Sequence, residues 1–325
     1  KPIVDFSISA LASELDSLCK KYDKLFVIAS GNMHHSEPHD WATFPAYLGD
    51  AAQRITAPAE SLLSIAVGSY AHAQSMNDVS LPMQLSAFSR SGPGMDGGIK
   101  PDLVSVGGNC YVWCGAADFR SESAAAGLDG TGTSIAYNVG TSFSAPLVTH
   151  NCAQLLGDNP GASANLLKCY LLHFSSNVGL NGAVAHRPDN NYGFGEFQAA
   201  DYFGNHTNRL LFAYEGGITA SEYVHIPFHI PRAFDTQTSK RMKIKFTVIH
   251  NPEVDSENPA EYSLSDILFE ISKNFNGSKR KVGGTNASLS KYSSKWNPVI
   301  KYERVFDREF SSGEWEIRLR LNTRG

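Results

Sequence analysis

The sequence predicts an α/β fold, a parallel β-sheet with helices on both faces, followed by an antiparallel β domain. Two observations lead to this class. Over the first 200 residues, helical spacing alternates with short, continuously apolar runs, as in strands buried on both faces of a parallel sheet. From about residue 205 the apolar period becomes two, as in strands with one face in water. The chain has 325 residues, about twice the commonest domain size, and we expect domains at 1–203 and 204–325.

Composition excludes several classes of protein. With 42% hydrophobic and 18% charged residues, the chain can bury a core and lacks the signature of intrinsic disorder. Its net charge of −4 offers no general basic surface, and no apolar run approaches the roughly 18 residues of a membrane span. We therefore expect neither a nucleic-acid nor a membrane partner. Residues 1–200 carry 10 basic and 17 acidic groups whereas residues 201–325 carry 18 and 15, which supports two domains.

The first domain begins with a predicted helix and continues with three apolar runs. Leu11, Leu15 and Leu18 lie on one helical face, and the helix should end near Lys20 and Lys21. The apolar runs that follow are LFVIA at 25–29, LLSIAVG at 62–68 and LVSV at 103–106. Helices that alternate with buried strands form the crossover units of a parallel sheet.

The second domain consists of segments with alternating polarity. Residues 242–248 and 315–321 each place every second, apolar side chain on one face. Pairs of turn-forming residues at 251–252, 276–277 and 283–284 separate such segments. This pattern predicts an antiparallel β-sandwich that resembles a jelly roll.

The most informative segment is residues 140–148, which read GTSFSAPLV. Helical spacing continues beyond it at Val148, Cys152, Leu155 and Leu156. We therefore predict a helix from near Ser142 to about Gly157. A serine at a helix start lies beside free N–H groups and the positive end of the helix dipole, which favour a developing oxyanion. Taken alone, however, Ser142 or Thr141 is more often a helix cap than a nucleophile.

The whole string decides between these two interpretations. Gly-Thr-Ser followed by Ala-Pro at this spacing resembles the nucleophile motif of the subtilases, and five such positions arise by chance in about one chain in 10^4. A second string, GTSIA at 132–136, lacks the proline, and no helical pattern follows it. The resemblance implies that Ser142, rather than Ser134, is the nucleophile of a serine endopeptidase. Such an enzyme hydrolyses polypeptide substrates and needs no cofactor for the chemistry.

The resemblance extends through the first 200 residues in the order of the family. FVIASGN at 26–32 resembles the strand that ends in the oxyanion-hole asparagine, so Asn32 is expected to donate its side-chain N–H to the tetrahedral intermediate. Removing this donor costs subtilisin itself about 3 to 4 kcal/mol of transition-state stabilisation. By the same analogy Ala29, Ser30 and Gly31 would form one wall of the primary specificity pocket. Composition alone would make Asn32 a turn residue after a strand of small residues.

Other landmarks of the subtilase scaffold carry no chemistry. Residues 64–68, 87–89 and 98–102 resemble successive scaffold segments, and residues 191–195 resemble the turn before the last helix of the catalytic domain. A resemblance to this fold therefore covers nearly all of the first domain.

A serine becomes a useful nucleophile only when a positioned base removes its proton, and subtilases use a histidine oriented by an aspartate. Their order is Asp, His, Asn, Ser, and the resemblance here begins at the helix just before the oxyanion strand. We therefore expect the aspartate and histidine upstream of Lys1, where the sequence has the character of a processing boundary. The chain would then be the C-terminal two thirds of the enzyme, inactive alone.

Two alternatives from other classes remain open at this point. The chain could be a non-catalytic interaction protein that kept the subtilase scaffold, or one half of a split enzyme whose other polypeptide supplies the missing strands. In either case a sheet that lacks strands exposes an apolar edge, so self-association through that edge is also expected.

Eleven histidines could offer a base within the chain. Those that follow Asn32 most closely are His34, His35 and His39, accompanied by Glu37 and Asp40. This group is compatible with a base, a metal cluster or a solvated loop, and the loop is favoured because it lies on the wrong side of the family order. His150 lies two helical turns beyond Ser142, about 12 Å along the axis, and is interpreted as a helix-packing residue.

The remaining motifs weaken other functions. Five cysteines, an odd number, slightly favour a reducing compartment but leave the compartment open. Cys110 and Cys114 could form a disulfide or half a metal site, although no second closely spaced pair accompanies them. Glycine-rich residues 127–132 lack the Lys-Ser/Thr of a phosphate loop and the spacing of a dinucleotide site. No Gly-x-Ser-x-Gly elbow surrounds Ser142, which argues against an α/β-hydrolase esterase.

Overall fold

A computed structural model of the chain divides into two compact units, Lys1–Tyr202 with Asn258–Ala260 and Phe203–Glu257 with Glu261–Gly325. The structure describes residues 2–3, 7–33, 41–113, 116–118, 122–177, 179–180, 188–206, 208–235, 241–275, 277–285, 297–306 and 312–323. Within these ranges, no helix combines the length and the apolar character needed to cross a bilayer.

The chain up to residue 203 is a mixture of helices and short strands. The helices are α1 (Ala10–Tyr22), α2 (Thr141–Asp158), α3 (Ala164–His173), α4 (Pro188–Tyr192) and α5 (Ala199–Phe203). The strands are β1 (Val27–Ala29), β2 (Ile65–Tyr70), β3 (Leu103–Val106), β4 (Tyr111–Trp113), β5 (Ala116–Asp118), β6 (Ala125–Leu128), β7 (Ile135–Asn138), β8 (Ser175–Ser176) and β9 (Glu196–Phe197).

Strands β1, β2 and β3 form a parallel sheet in that order. Val27 pairs with Ile65, and Val67 pairs with Leu103. Every residue of the central strand β2 is buried, which explains why its sequence is a continuous run of small and apolar side chains. The parallel sheet predicted from the apolar runs is confirmed. Strands β4 and β5, β6 and β7, and β8 and β9 form three antiparallel pairs.

Helix α1 is fixed at its first turn and pinned by a buried carboxylate. The hydroxyl of Ser9 accepts the N–H of Ala12 at 3.1 Å, which satisfies a donor that the helix itself leaves unpaired. On the inner face, the carboxylate of Asp16 accepts the main-chain N–H groups of Leu62 and Leu63 at 3.1 and 2.9 Å. The helix is therefore tied to the turn that leads into β2.

Helix α2 packs against all three parallel strands through a narrow stripe. Its buried residues are Thr141, Ser144, Val148 and Leu155. The hydroxyl of Ser144 donates to the main-chain carbonyl of Ser105 in β3 at 3.1 Å. More than half of the residues of α2 are exposed, although none of them carries a formal charge before Asp158 at the last position. Its exposed residues are a mixture of polar and apolar side chains, and the exposed Leu147 and Leu156 lie on either side of the buried stripe.

One expectation for α2 is wrong, because His150 is exposed rather than packed against another element. The predicted helix itself is confirmed, and the side chain of Leu156 near its end is 42% exposed. Each residue turns the helix by about 100°, so Leu156 points away from the direction taken by the buried Leu155. His150 lies about 200° from Val148 and therefore faces away from the sheet.

A buried ion network joins the start of β3 to α3. Asp102 lies 2.5 Å from the Nζ of Lys100 and 3.6 Å from the Nζ of Lys168, and all three side chains are almost completely buried. The ammonium of Lys168 also donates to the carbonyls of Leu62 and Ser64, both at 3.0 Å. These partners offset the cost of removing the charges from water.

The second unit consists of two antiparallel sheets. Its strands in the described part of the chain are β10 (Tyr223–Ile230), β11 (Met242–Ile249), β12 (Ser265–Phe275), β13 (Ser278–Gly284), β14 (Val299–Phe306) and β15 (Gly313–Thr323). One sheet has the order β10-β15-β12-β13, and the other pairs β11 with β14. The segments predicted at 242–248 and 315–321 lie within β11 and β15. A jelly roll has eight strands, and the six described here do not confirm that topology.

The apolar faces of the two sheets share one core cluster. The ring of Phe269 in β12 lies 5.1 Å from Phe246 in β11 and 5.4 Å from Tyr302 in β14. Alternation along the strands therefore places the apolar side chains of both sheets on facing surfaces, as period-two patterning requires.

His250, directly after β11, is buried between two main-chain carbonyls. Its Nδ1 lies 3.3 Å from the oxygen of Pro298, and its Nε2 lies 3.2 Å from the oxygen of Ser265. Burial lowers the pKa of this imidazole, because the charged form loses its hydration. The neutral ring has a single N–H and can donate to one carbonyl at a time.

We predict that Lys168→Met lowers the free energy of unfolding by about 3 kcal/mol, because it removes a donor from a buried carboxylate oxygen and from the carbonyls of residues 62–64. Urea titration followed by circular dichroism measures this change. The matched control is Lys243→Met, which removes an ammonium 53% exposed and paired with Glu303 on the surface. The control should cost under about 1 kcal/mol. Equal losses for both variants would contradict the structural role assigned to Lys168.

We also predict a pH dependence that originates at His250. Below the ordinary histidine pKa of 6.5 the imidazole is protonated in the unfolded chain but stays neutral in the folded chain. Protonation therefore stabilises the unfolded state, and the free energy of unfolding falls as pH drops. The slope contributed by one such group is at most about 1.4 kcal/mol per pH unit. Urea titrations at pH 7.5 and 5.5 measure how much free energy of unfolding is lost at the lower pH. This loss should be smaller for His250→Gln than for the unmodified chain. An equal loss of unfolding free energy in His250→Gln and in the unmodified chain would contradict this prediction.

Candidate active site

Ser142 is the second residue of α2 and lies at the point where the chain enters that helix. Its side chain is exposed, whereas the preceding Thr141 is 1% exposed. The N-cap is Gly140, with φ of 149°, a conformation that side-chain-bearing residues rarely adopt. The hydroxyl of Ser142 makes no hydrogen bond with any residue in the described ranges. It is therefore accessible, and its proton has no acceptor among those residues.

Asn32 follows the end of β1 and is also exposed. An isolated antiparallel bridge to Ser89 holds its main chain, and its side-chain oxygen faces the start of α2. The Oδ1 of Asn32 accepts the main-chain N–H of Thr141 at 3.0 Å and the hydroxyl of Thr141 at 2.9 Å. Because the oxygen is engaged by these donors, the Nδ2 of the amide remains available to donate elsewhere. The structure thus brings Asn32 to the residue next to Ser142.

The glycine before this pair is required by the close approach of the amide. A Cβ atom at Gly140 would lie 3.0 Å from the Nδ2 of Asn32, which is closer than almost all real contacts of that atom. The positive φ of Gly140 adds a backbone cost for any other residue. The glycine of the GTS string therefore leaves room for the amide group as well as for the turn.

Ala29, Ser30 and Gly31, the three residues before Asn32, lie at the end of β1 and have small side chains or none. Ser30 is completely buried, and its hydroxyl donates to the carbonyl of Arg90 at 3.3 Å. Ala29 and Gly31 are half-buried. Gly31 has φ of +102°, and a Cβ there would lie 2.3 Å from the hydroxyl of Thr56. Any wall formed by these residues is therefore mainly main chain rather than side chain.

The other candidate bases and nucleophiles make no contact that the structure shows with Asn32, Thr141 or Ser142. Ser134 is exposed in the turn between β6 and β7. His150 points away from the sheet on α2. The group His34, His35, His39, Glu37 and Asp40 lies outside the described residues. In the ranges that are described, no three histidine, cysteine or acidic side chains gather in a geometry that could hold a metal.

The described cysteines have the character of structural thiols. No disulfide bond joins any of the cysteines in the described ranges, which are Cys19, Cys110, Cys152 and Cys169. Burial raises the pKa of Cys110 and raises that of Cys152 to about 12, which disfavours the reactive thiolate at neutral pH. Cys114, the other member of the pair considered from sequence, lies outside the described residues.

Two residues of this region contact Asn32 in a way that the sequence does not indicate. The sequence suggests Thr141 only as a helix cap, but its N–H and hydroxyl both donate to the side-chain oxygen of Asn32. Arg90 directly follows the scaffold segment 87–89, and its guanidinium donates to the main-chain carbonyl of Asn32 at 3.1 Å. The position of Thr141 inside the GTS string was an available signal. A contact between a side chain and a distant carbonyl leaves no such signal in the sequence.

Comparison with known proteins places these residues in a family. The model of the Subtilase family, Peptidase_S8, matches residues 6–195, more than half of the chain. A curated relative, "Uncharacterized protein y4bN" from Sinorhizobium fredii, is 27% identical over 279 residues. That match covers 76% of this chain and 63% of the relative, so the chain spans less than two thirds of the relative's length.

Solved structures give weaker likenesses. Proteases from Pseudoalteromonas arctica PAMC 21717 are 18% identical with a TM-score of 0.35, over 52% of this chain and 41% of theirs. A cold-adapted subtilisin-like serine proteinase is 20% identical with a TM-score of 0.32, over 55% and 48%. A lanthipeptide protease is 16% identical with a TM-score of 0.37, over 57% and 52%. These scores are too low to carry an argument, so the assignment depends on the family match.

The match spans both β1 and the GTS-helix segment, which come together at Asn32 and Thr141. On this evidence the chain belongs to the subtilase family.

Proposed function

We propose that this chain carries the nucleophile and oxyanion half of a subtilisin-type serine endopeptidase. In this proposal Ser142 attacks the carbonyl carbon of a peptide bond. The side-chain N–H of Asn32 and the main-chain N–H of Ser142 stabilise the negative charge that develops on the carbonyl oxygen. The domains would be 1–203, the partial catalytic domain, and 204–325, a β domain that supports folding or contributes to substrate selection.

The contact between Asn32 and Thr141 is the observation that carries the proposal. It turns the amide so that Oδ1 faces Thr141 and the N–H group is free to donate beside an exposed Ser142. The first turn of α2 adds the main-chain N–H of Ser142 and the positive end of the helix dipole at the same place. The amide N–H and the helix start together can stabilise the negative charge of an oxyanion that forms only during the reaction.

The hydroxyl proton of Ser142 has to be removed during the attack, and the leaving amine has to receive a proton. In the proposed mechanism a histidine that does not belong to these 325 residues accepts the proton from the hydroxyl as the C–O bond forms. It then delivers the proton to the amine as the C–N bond breaks, and an aspartate orients it. Without these two residues the chain has the oxyanion donors but no base, so it should be inactive alone.

The substrate is proposed to be a polypeptide, bound along the end of β1. The wall formed by Ala29, Ser30 and Gly31 would present main-chain groups to the side chain that precedes the cleaved bond. The full burial of Ser30 supports a passive wall rather than a specific polar contact.

The surface of α2 supports the idea that further polypeptide covers this helix in the complete protein. Leu147 and Leu156 are 45% and 42% exposed on a helix with almost no charge. Leu128 and Ile135 in the β6–β7 pair are 74% and 64% exposed. The curated relative is also longer than the matched region.

A fluorophosphonate probe tests the proposed function, because an activated serine displaces its fluoride and forms a covalent phosphonyl ester. We expect strong labelling of Ser142 in the protein expressed from its complete reading frame and none in the 325-residue chain. Mass spectrometry of tryptic peptides locates the label. Ser142→Ala should abolish labelling, whereas the matched variant Ser134→Ala should retain it.

Each other result selects a different hypothesis. Equal labelling of both proteins would mean that a base lies within these 325 residues. No labelling of the complete protein would favour the non-catalytic scaffold. Labelling that appears only after a second polypeptide is added would identify a split enzyme.

We further propose that the isolated 325-residue chain self-associates through its truncated sheet and the apolar side chains exposed near it, among them Leu147 of α2. Multi-angle light scattering should give a mass of about two chains or more at high protein concentration, because exposed apolar area drives association. Leu147→Glu should lower the measured mass. Leu11→Glu, which changes a leucine 56% exposed on α1, serves as the control and should not. The mass of a single chain at all concentrations would contradict this proposal.

A further inference from the structure

We propose that Arg90 is a positioning residue for Asn32, holding the main chain of that asparagine so that its amide meets the start of α2. The inference depends on the proposed function, since it assigns a part of the machinery around the oxyanion donor. It concerns a side chain that touches neither the substrate nor Ser142.

Arg90 lies in a segment whose residues, 85–91, are all buried. Its own residue is 8% exposed, and its guanidinium is directed at main-chain carbonyls rather than at solvent. The Nε donates to Asn32 at 3.1 Å, and one terminal nitrogen donates to Ala52 at 2.7 Å and to Arg54 at 3.2 Å. One side chain therefore links three carbonyls from two separate parts of the chain.

These contacts use the planar fork of the guanidinium. Donors on a single rigid plane can reach carbonyls that diverge in direction, whereas an ammonium is a compact point charge on a flexible stem. Burial lowers the pKa of Arg90, yet a guanidinium stays protonated at neutral pH. Within the described part of the chain Arg90 has no carboxylate partner. Its contacts are therefore to the main chain, as expected of a group that fixes backbone position.

The stem of Arg90 adds a steric contact next to the same site. A Cβ on Gly31 would lie 3.1 Å from the Cδ of Arg90, so the stem packs closely against that glycine. The N–H of Arg90 also donates to the carbonyl of Gly31 at 3.2 Å. Both the residue before Asn32 and the carbonyl of Asn32 are thus held by Arg90.

A continuous series of contacts leads from Arg90 to α2. The guanidinium binds the carbonyl of Asn32, and the amide oxygen of Asn32 binds the N–H of Thr141, next to Ser142. An oxyanion donor is effective only when it is held in place before charge develops, within about 0.5 Å of its working position. Arg90 supplies that constraint from behind the strand.

The test uses the protein expressed from its complete reading frame and a fluorophosphonate probe. We expect Arg90→Met to slow labelling of Ser142 about tenfold and Arg90→Lys to slow it similarly, because misplacement by 1 Å can cost about a hundredfold. With a peptide substrate, kcat should fall while KM changes little. Arg280→Met removes an exposed arginine from β13 and should have no effect. A normal rate for Arg90→Lys would overturn the inference, since charge alone would then suffice.

A double-mutant cycle shows whether Arg90 acts through Asn32. Asn32→Ala should itself slow labelling by a factor of about 10² to 10³, the range measured for the corresponding asparagine of subtilisin. In the Asn32→Ala background, Arg90→Met should produce no further loss beyond about twofold. Tenfold losses in both backgrounds would show independent action and would overturn the inference.

A readout that needs no activity separates this inference from the proposed function. In the structure the N–H of Thr141 is held by Asn32, so its hydrogen exchange should become faster in Arg90→Met than in Arg280→Met. The N–H of Leu155, deep in α2, serves as the internal reference and should keep its rate. If the complete protein fails to react with the probe, the proposed function fails, and exchange at Thr141 still decides the role of Arg90. Unchanged exchange at Thr141, or an equal change at Leu155, would overturn it.

Discussion

The first unit depends on the contact between the amide oxygen of Asn32 and the backbone of Thr141. It joins the end of a parallel strand to the beginning of the long helix that packs across the sheet. A helix start normally needs a side-chain oxygen to satisfy its free N–H groups, and here the oxygen comes from a residue 109 positions earlier. One hydrogen-bonded pair therefore serves as a helix cap and orients a candidate catalytic amide.

Much of the parallel half could be predicted because its signals are local. The run at 103–106 coincides with β3, and α2 begins within one residue of its predicted start. The run predicted at 62–68 begins as a turn, and β2 starts only at Ile65, because Asp16 holds the N–H groups of the preceding residues. Helical spacing predicts α2 correctly but cannot show which of its faces the rest of the chain covers, so the expectation that His150 packs against another element is wrong.

The candidate site divides in the same way. Ser142 and Asn32 could be predicted as site residues because their residue types and order resemble a known family. In the structure Asn32 contacts Thr141, the residue next to Ser142. The contributions of Thr141 and Arg90 could not be inferred, since both act through hydrogen bonds with partners distant in sequence. The buried ammonium of Lys168 is a similar case. Nothing in its neighbourhood on α3 indicates that the carbonyls of residues 62–64 surround it.

The glycines of this region differ in how much space is available for a substituted side chain. At Gly127 and Gly130, in the β6–β7 hairpin, an added methyl group would meet nothing within 4 Å. At Gly140 the same methyl would press against the amide of Asn32. Substitution is thus sterically free at these hairpin positions, while the residue at the entrance to the helix has to stay a glycine. Diversification among relatives should accumulate in that hairpin and leave the position before the Thr-Ser pair untouched.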